Sequence, residues 1–176
     1  MNYGFTNVAA ACPKLIVADC DFNTDEIIRL AKKAEKDKVS LLVFPELCIT
    51  GATCGDLFCQ QWLLSSALRS LERIMEASRS ITAVLTVGLP LQNGSLLFNC
   101  AAVIFQGNIL GIVPKSHLSN RALRCFSPAC RAPGTIELFG KSIPFEKELI
   151  FSCLRDSRFS IGVEIGQDSS DVIPSS

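Results

Sequence analysis

The stretch VSLLVFPELCITG, residues 39–51, decides the fold class of this chain. Its first part, Val39–Phe44, is an apolar run, and Pro45 ends that run. Because a strand in a parallel sheet is covered on both faces, a run of this kind predicts a buried strand. Glu46 comes directly after the proline, so we expect a carboxylate at the end of this strand.

Helical and strand patterns alternate on both sides of that run. Upstream, TDEIIRLAKKAEKDK (24–38) places its apolar residues on one helical face, with Asn23 as the expected N-cap. Downstream, helical spacing extends over about 56–80, and ITAVLTVGL (81–89) is a second buried-strand candidate. This alternation predicts an α/β domain in which surface helices cover a sheet.

The following segments predict further strands. Two apolar runs within 95–115 meet at Gln106-Gly107-Asn108, which is a hairpin signal, so the sheet is expected to be mixed. The stretch 119–133 has no clean period, and 135–153 is typical of short strands and turns. FSIGVEI (159–165) is the last expected strand, and the polar turn that follows it contains Gly166.

Composition excludes several classes of function. The 176 residues carry 17 basic and 17 acidic side chains, so no net charge favours binding to nucleic acid or to an anionic membrane. No apolar run approaches the length of a membrane span, and the N-terminus lacks the features of a signal peptide. We therefore expect a soluble, cytoplasmic protein of one domain.

The nine cysteines do not form a recognisable metal or disulfide pattern. Their number is odd, no CxxC occurs, and the closest pairs, Cys54 with Cys59 and Cys125 with Cys130, have four intervening residues. The only histidine, His117, is not at a ligand spacing from either pair. Reduced thiols and the absence of a metal site are the expectation.

Three positions at expected strand ends are candidates for chemistry. Glu46 and Lys115 each follow a proline that ends an apolar run, and Gly166 follows the last one. A carboxylate and an ammonium group can serve as general base and oxyanion stabiliser if a nucleophile stands at the third position. Taken alone, the same residues are also typical of a loop carboxylate, a surface lysine and a turn glycine.

Three segments, in order, resemble the catalytic segments of the nitrilase, or carbon–nitrogen hydrolase, superfamily: LLVFPELCITGATCGDLF (41–58), GLPLQNGSLLFNCAAVIFQGNILGIVPKSHL (88–118) and IGVEIGQDSSDVIPSS (161–176). The combination is most similar to the glutaminase domains of glutamine-dependent NAD synthetases. The resemblance implies an α-β-β-α sandwich. Residues 1–176 are then a partial carbon–nitrogen hydrolase domain, incomplete on its C-terminal side, with the synthetase domain absent.

The resemblance also implies a reaction. A Glu–Lys–Cys triad hydrolyses the side-chain amide of glutamine through a glutamyl thioester, with Glu46 as general base and Lys115 as oxyanion stabiliser. The released ammonia serves a synthetase domain, in cis or in trans, that binds ATP, magnesium and deamido-NAD. No cofactor is expected in the glutaminase domain itself, and a homo-oligomer is expected.

The third segment departs from the family pattern at its reactive residue. Where the family has cysteine followed by glutamate, this chain has Gly166 and Gln167, and its 119–131 loop has no carboxylate. A glycine cannot form the thioester, so we predict no detectable glutaminase activity. The alternatives are a non-catalytic binding or oligomerisation module and a fragment of another nitrilase-type amidase.

Overall fold

A computed structural model describes residues 5–153 and 156–170. In this part of the chain seven strands form one sheet in the order β1-β2-β3-β4-β5-β7-β6, and two more form a ribbon. The sheet strands are β1 (Val8–Ala10), β2 (Leu41–Val43), β3 (Val84–Asn93), β4 (Leu96–Phe105), β5 (Asn108–Pro114), β6 (Gly134–Leu138) and β7 (Lys141–Phe145). The ribbon strands are β8 (Ile150–Cys153) and β9 (Asp156–Gly162).

The sheet is mixed, which confirms the predicted α/β class. Strands β1, β2 and β3 run parallel to one another, and β7 is parallel to β5. The β3–β4, β4–β5 and β6–β7 pairs are antiparallel. Gln106 and Gly107 connect β4 to β5 with φ angles of 45° and 78°, so the expected hairpin is a two-residue turn with both residues left-handed.

Two helices cover one face of this sheet. They are α1 (Cys20–Lys36) and α2 (Gln61–Ala77), and a short 3-10 helix (Gly55–Cys59) precedes α2. Ile27 of α1 and Leu71 of α2 are fully buried in the same core as Phe98 and Ile104 of β4. Because side chains alternate across a strand, the odd-numbered residues between Phe98 and Ile104 point to the opposite face of the sheet.

Helix α1 begins earlier than the sequence predicted. Its N-cap is Asp19, whose carboxylate accepts a hydrogen bond from the Phe22 backbone N–H at 3.0 Å. Asn23 lies inside the helix and is fully buried, so the prediction that it caps the helix is wrong. Its amide instead bonds to the backbone N–H and C=O of Ile16, at 2.8 and 2.9 Å, and to the C=O of Ile49 at 2.9 Å. Ile16 lies 7 positions and Ile49 lies 26 positions from Asn23 in the sequence.

The second face of the sheet is covered only in part by the described residues. A Cβ built at Gly111 would meet the Leu149 side chain at 2.8 Å and the Phe151 ring at 3.0 Å, so the ribbon region packs directly on β5. Towards β1 the face is more open, since Val8 is 57% and Val43 40% exposed. The prediction that β2 is buried on both faces is therefore wrong, because only its Leu42 side is covered. Among the described residues, no helix combines the length and apolarity needed to cross a membrane.

Candidate active site

Glu46 lies on a tight turn that crosses directly over β3. A Cβ built at Gly88 would be 2.5 Å from both the Pro45 carbonyl oxygen and the Leu47 nitrogen, so only glycine lets the turn approach this closely. The Ile49 N–H donates to the Gly88 carbonyl at 3.2 Å and holds the turn in place. The sequence reasoning did not single out Gly88, although a glycine inside a strand often marks a close backbone approach.

The structure brings Lys115 and Glu46 together. Lys115 directly follows β5, its side chain is only 10% exposed, and its Nζ lies 2.8 Å from Glu46 Oε1. The two residues are 69 positions apart in sequence and meet because β2 and β5 end at the same region of the sheet. The juxtaposition expected from the strand ends is therefore present.

Asn99 supports both members of this ion pair. Its Nδ2 donates to Glu46 Oε1, and its backbone carbonyl accepts from the Lys115 N–H at 2.8 Å. The Asn99 side chain is buried, and its Oδ1 accepts no hydrogen bond from the described residues. The sequence contained a signal for this residue, because Asn99 is a polar side chain inside an otherwise apolar strand.

Gly166 faces the ion pair from the other side. Its φ is +58°, and a Cβ built there would lie 2.8 Å from Glu46 Oε2 and 2.8 Å from Lys115 Nζ. A side chain at position 166 would therefore point between the carboxylate and the ammonium group. Both neighbouring atoms are the ends of flexible side chains, so a small shift of each would make room.

The path to Gly166 differs from the prediction. Strand β9 ends at Gly162, and Val163, Glu164 and Ile165 are not in a strand, so FSIGVEI is not one strand running up to the turn. The physical reason is the pairing: among the described strands β9 pairs only with β8, and the last pair places Ile150 opposite Gly162. Gly166 begins a short 3-10 helix that extends to Ser170.

A buried carboxylate ties this 3-10 helix to the segment after Lys115. Asp168 accepts hydrogen bonds from the backbone N–H of Ser116 at 3.0 Å and of His117 at 2.7 Å, and it is only 2% exposed. His117 Nδ1 also lies 3.4 Å from Asp168 Oδ1. Asp168 thus fixes the position of Gly166 relative to Lys115. Gln167, the neighbour of Gly166 in the chain, is exposed.

A small cavity of about 80 Å³ lies beside Gly166, and Cys100 is the one cysteine on its described wall. Burial raises the pKa of the Cys100 thiol well above its ordinary value, so the thiolate that a nucleophile requires is suppressed. Burial likewise raises the pKa of Cys48, close to Glu46 in the chain, to about 12. Within the described residues, no group of three His, Cys, Asp or Glu side chains is arranged to hold a metal ion.

Comparison with known proteins shows the family of this chain. The model of the carbon–nitrogen hydrolase family matches residues 8–168, and this chain therefore belongs to that family. The chain is 32% identical over 171 residues to the glutamine-dependent NAD(+) synthetase of Mycobacterium tuberculosis. That alignment covers 95% of this chain and 25% of the relative, so this chain spans about a quarter of such a synthetase.

Solved structures show the same fold. A glutamine-dependent NAD(+) synthetase from Cytophaga hutchinsonii superposes with a TM-score of 0.78 at 24% identity, over 84% of this chain and 26% of that one. The NitN amidase from Neterenkonia sp. AN1 has a TM-score of 0.62 at 21% identity, over 78% of this chain and 55% of the amidase. The nitrilase-like fold expected from the three sequence segments is confirmed.

Proposed function

We propose that this chain is a glutaminase-type domain that keeps the recognition and charge-stabilising groups of the site but does not hydrolyse glutamine. In the implied mechanism a cysteine attacks the carboxamide carbon, Glu46 takes the thiol proton, and Lys115 stabilises the oxyanion. Gly166 supplies no sulfur. The C–S bond of the thioester cannot form, and ammonia is not released by this route.

One observation supports this proposal above the others. A Cβ at position 166 would lie 2.8 Å from both Glu46 Oε2 and Lys115 Nζ. The Glu–Lys–Cys mechanism requires its nucleophile at such a position, between the carboxylate and the ammonium group. The ion pair of Glu46 with Lys115, and the hydrogen bond from Asn99 to Glu46, are also present. Both features are consistent with glutamine as the ligand.

The names of the relatives support the partner part of the proposal. The curated relatives are glutamine-dependent NAD(+) synthetases, of which this chain matches about a quarter. We propose that a synthetase domain, in cis or in trans, is the functional partner of this domain. ATP, magnesium and deamido-NAD would bind there and not at the Glu46 site.

A second candidate is a non-catalytic binding or oligomerisation module. It is favoured by the joint change of the two reactive positions to Gly166 and Gln167, and by an adjoining loop with arginines and no carboxylate at 119–131. In this case the fold would be kept for its surfaces and glutamine would not bind. A hydrolase for a different amide is the weaker variant of the first proposal, and Gly166 would disable it equally.

Ammonia release from glutamine, measured together with calorimetric binding of glutamine, separates these candidates. We expect the unmodified chain to bind glutamine and to release no ammonia. The double variant Gly166→Cys with Gln167→Glu should gain ammonia release and form a glutamyl thioester visible by mass spectrometry. Adding Glu46→Gln to that variant should abolish the gain.

Gly94→Cys is the matched control for an added cysteine. Gly94 has a φ of +59°, nearly that of Gly166, and a Cβ there meets nothing within 4 Å. This control should show no gain. Ammonia release by the unmodified chain that depends on Glu46 would contradict the claim that Gly166 is disabling. Release that survives Glu46→Ala would contradict the role of Glu46, and absence of glutamine binding would favour the module.

A further inference from the structure

Two cysteines meet at the contact between the 119–131 loop and the 3-10 helix Gly55–Cys59. The Cys125 thiol lies 3.9 Å from the Gly55 carbonyl oxygen, and burial, together with the nearby Cys59 thiol, raises its pKa. Cys59 is the last residue of that helix and is exposed, whereas Cys125 is half-buried. The two thiols are adjacent in space although 59 and 125 are far apart in sequence.

Neighbouring aromatic rings hold the two segments at this contact. Phe58 and Phe126, each adjacent in sequence to one of the cysteines, pack edge to face with ring centroids 4.9 Å apart. Both rings are buried, so the backbones that carry Cys59 and Cys125 are fixed relative to each other. The thiol contact is therefore a consequence of core packing on both sides.

We propose that Cys59 and Cys125 form a reversible redox pair whose disulfide fastens the 119–131 loop to the 3-10 helix. With a peroxide as oxidant, the exposed Cys59 thiolate attacks a peroxide oxygen, giving a sulfenic acid and one water. The Cys125 thiol then attacks the Cys59 sulfur and gives up its proton as the S–S bond forms, and the displaced hydroxyl group leaves with that proton as a second water. Two thiols are oxidised and one peroxide is reduced.

The loop that would be fastened is connected to the site. The Ala129 N–H donates to the Lys115 carbonyl oxygen at 3.0 Å, and the Ser127 N–H donates to the Leu97 carbonyl at 2.7 Å. The disulfide would hold the middle of the loop, while these bonds hold its C-terminal half. Because a cross-link between distant residues restricts the unfolded chain, it also raises thermal stability.

This proposal can be tested on the purified chain before and after treatment with hydrogen peroxide. The measurements are thiol counting, peptide mapping and thermal unfolding. We expect the loss of two of the nine thiols, a Cys59–Cys125 cross-linked peptide, and a rise in Tm of roughly 8–16 °C, reversed by dithiothreitol. Cys59→Ser and Cys125→Ser should each abolish both the cross-link and the rise.

Cys153→Ser and Cys130→Ser are the controls, because they remove other exposed thiols and leave the pair intact. Both should behave like the unmodified chain. A Cys59–Cys130 cross-link, or oxidation of Cys59 to a sulfinic acid with Cys125 still a free thiol, would overturn the assignment of the pair. A Cys59–Cys125 cross-link with no rise in Tm would overturn its fastening role.

Discussion

Gly88→Ala is expected to destabilise the chain and displace Glu46. The added Cβ would lie 2.5 Å from two main-chain atoms, the Pro45 oxygen and the Leu47 nitrogen, and 3.0 Å from the Glu46 carbonyl carbon. To reach an ordinary van der Waals distance from the new Cβ, the turn would have to move away from β3 by nearly an ångström. Main-chain atoms cannot rotate out of the way as the end of a side chain can. Overpacking of this kind costs about 1–3 kcal/mol, and the double backbone clash favours the upper end.

The free energy of unfolding from urea titration measures this cost directly. A loss of about 3 kcal/mol corresponds to a fall in Tm of roughly 6–12 °C for a domain of this size. Gly162→Ala is the matched control, since Gly162 has no left-handed φ and a Cβ there meets nothing within 4 Å. It should change stability by less than about 0.5 kcal/mol. Equal losses of unfolding free energy for the two substitutions would refute the argument that Gly88 allows the Glu46 turn to pack against β3.

Three further substitutions probe the supports of the site and the core. Asp168→Asn replaces a buried carboxylate that accepts two backbone N–H bonds, so the free energy of unfolding from urea titration should fall by about 2–3 kcal/mol. An unchanged midpoint would contradict the proposed role of Asp168 in holding the 3-10 helix. Asn23→Ala leaves three backbone partners without their bonds and should cost about 3 kcal/mol by the same measurement, whereas a capping role would cost only about 1. Burial raises the pKa of the Cys48 thiol from 9.0 to about 12 in the folded chain. Between pH 9 and pH 12 the unfolded state therefore binds fewer protons than the folded state. The free energy of unfolding should fall by about 1.4 kcal/mol per pH unit in this range. Cys48→Ala should make this alkaline loss shallower, and an unchanged slope would assign the loss to other groups.

Elements with a strong local pattern were predictable from the sequence. The apolar run before Pro45 forms β2 in the parallel part of the sheet, and Gln106-Gly107 forms the expected hairpin turn. The apolar stripe of α1 is buried as its period indicated, since Ile27 and Ala31 are almost fully covered. These features depend on contacts between residues close in sequence or on burial of a whole face, and both produce a recognisable pattern in the sequence.

Features set by distant contacts were not predictable in the same way. Asn23 has the side chain of a good helix cap, but tertiary bonds to Ile16 and Ile49 bury it inside α1. The segment before Gly166 has the composition of a strand, yet no strand in the described part of the chain pairs with it beyond Ile150. Asn99 and Asp168 were missed as supports because their roles depend on residues more than 50 positions away.

The supports of the site do not involve the nucleophile position. Gly88 seats the turn that carries Glu46, Asn99 connects that carboxylate to the Lys115 backbone, and Asp168 fixes the 3-10 helix that begins at Gly166. Each support is a backbone approach or a buried hydrogen bond, so none of them requires a sulfur atom at Gly166. Under the proposed function, glycine at 166 removes the covalent step, while the Glu46–Lys115 ion pair is still formed. A domain with such a site can keep its ligand after it has lost its reaction, and for this reason binding and turnover of glutamine have to be measured separately.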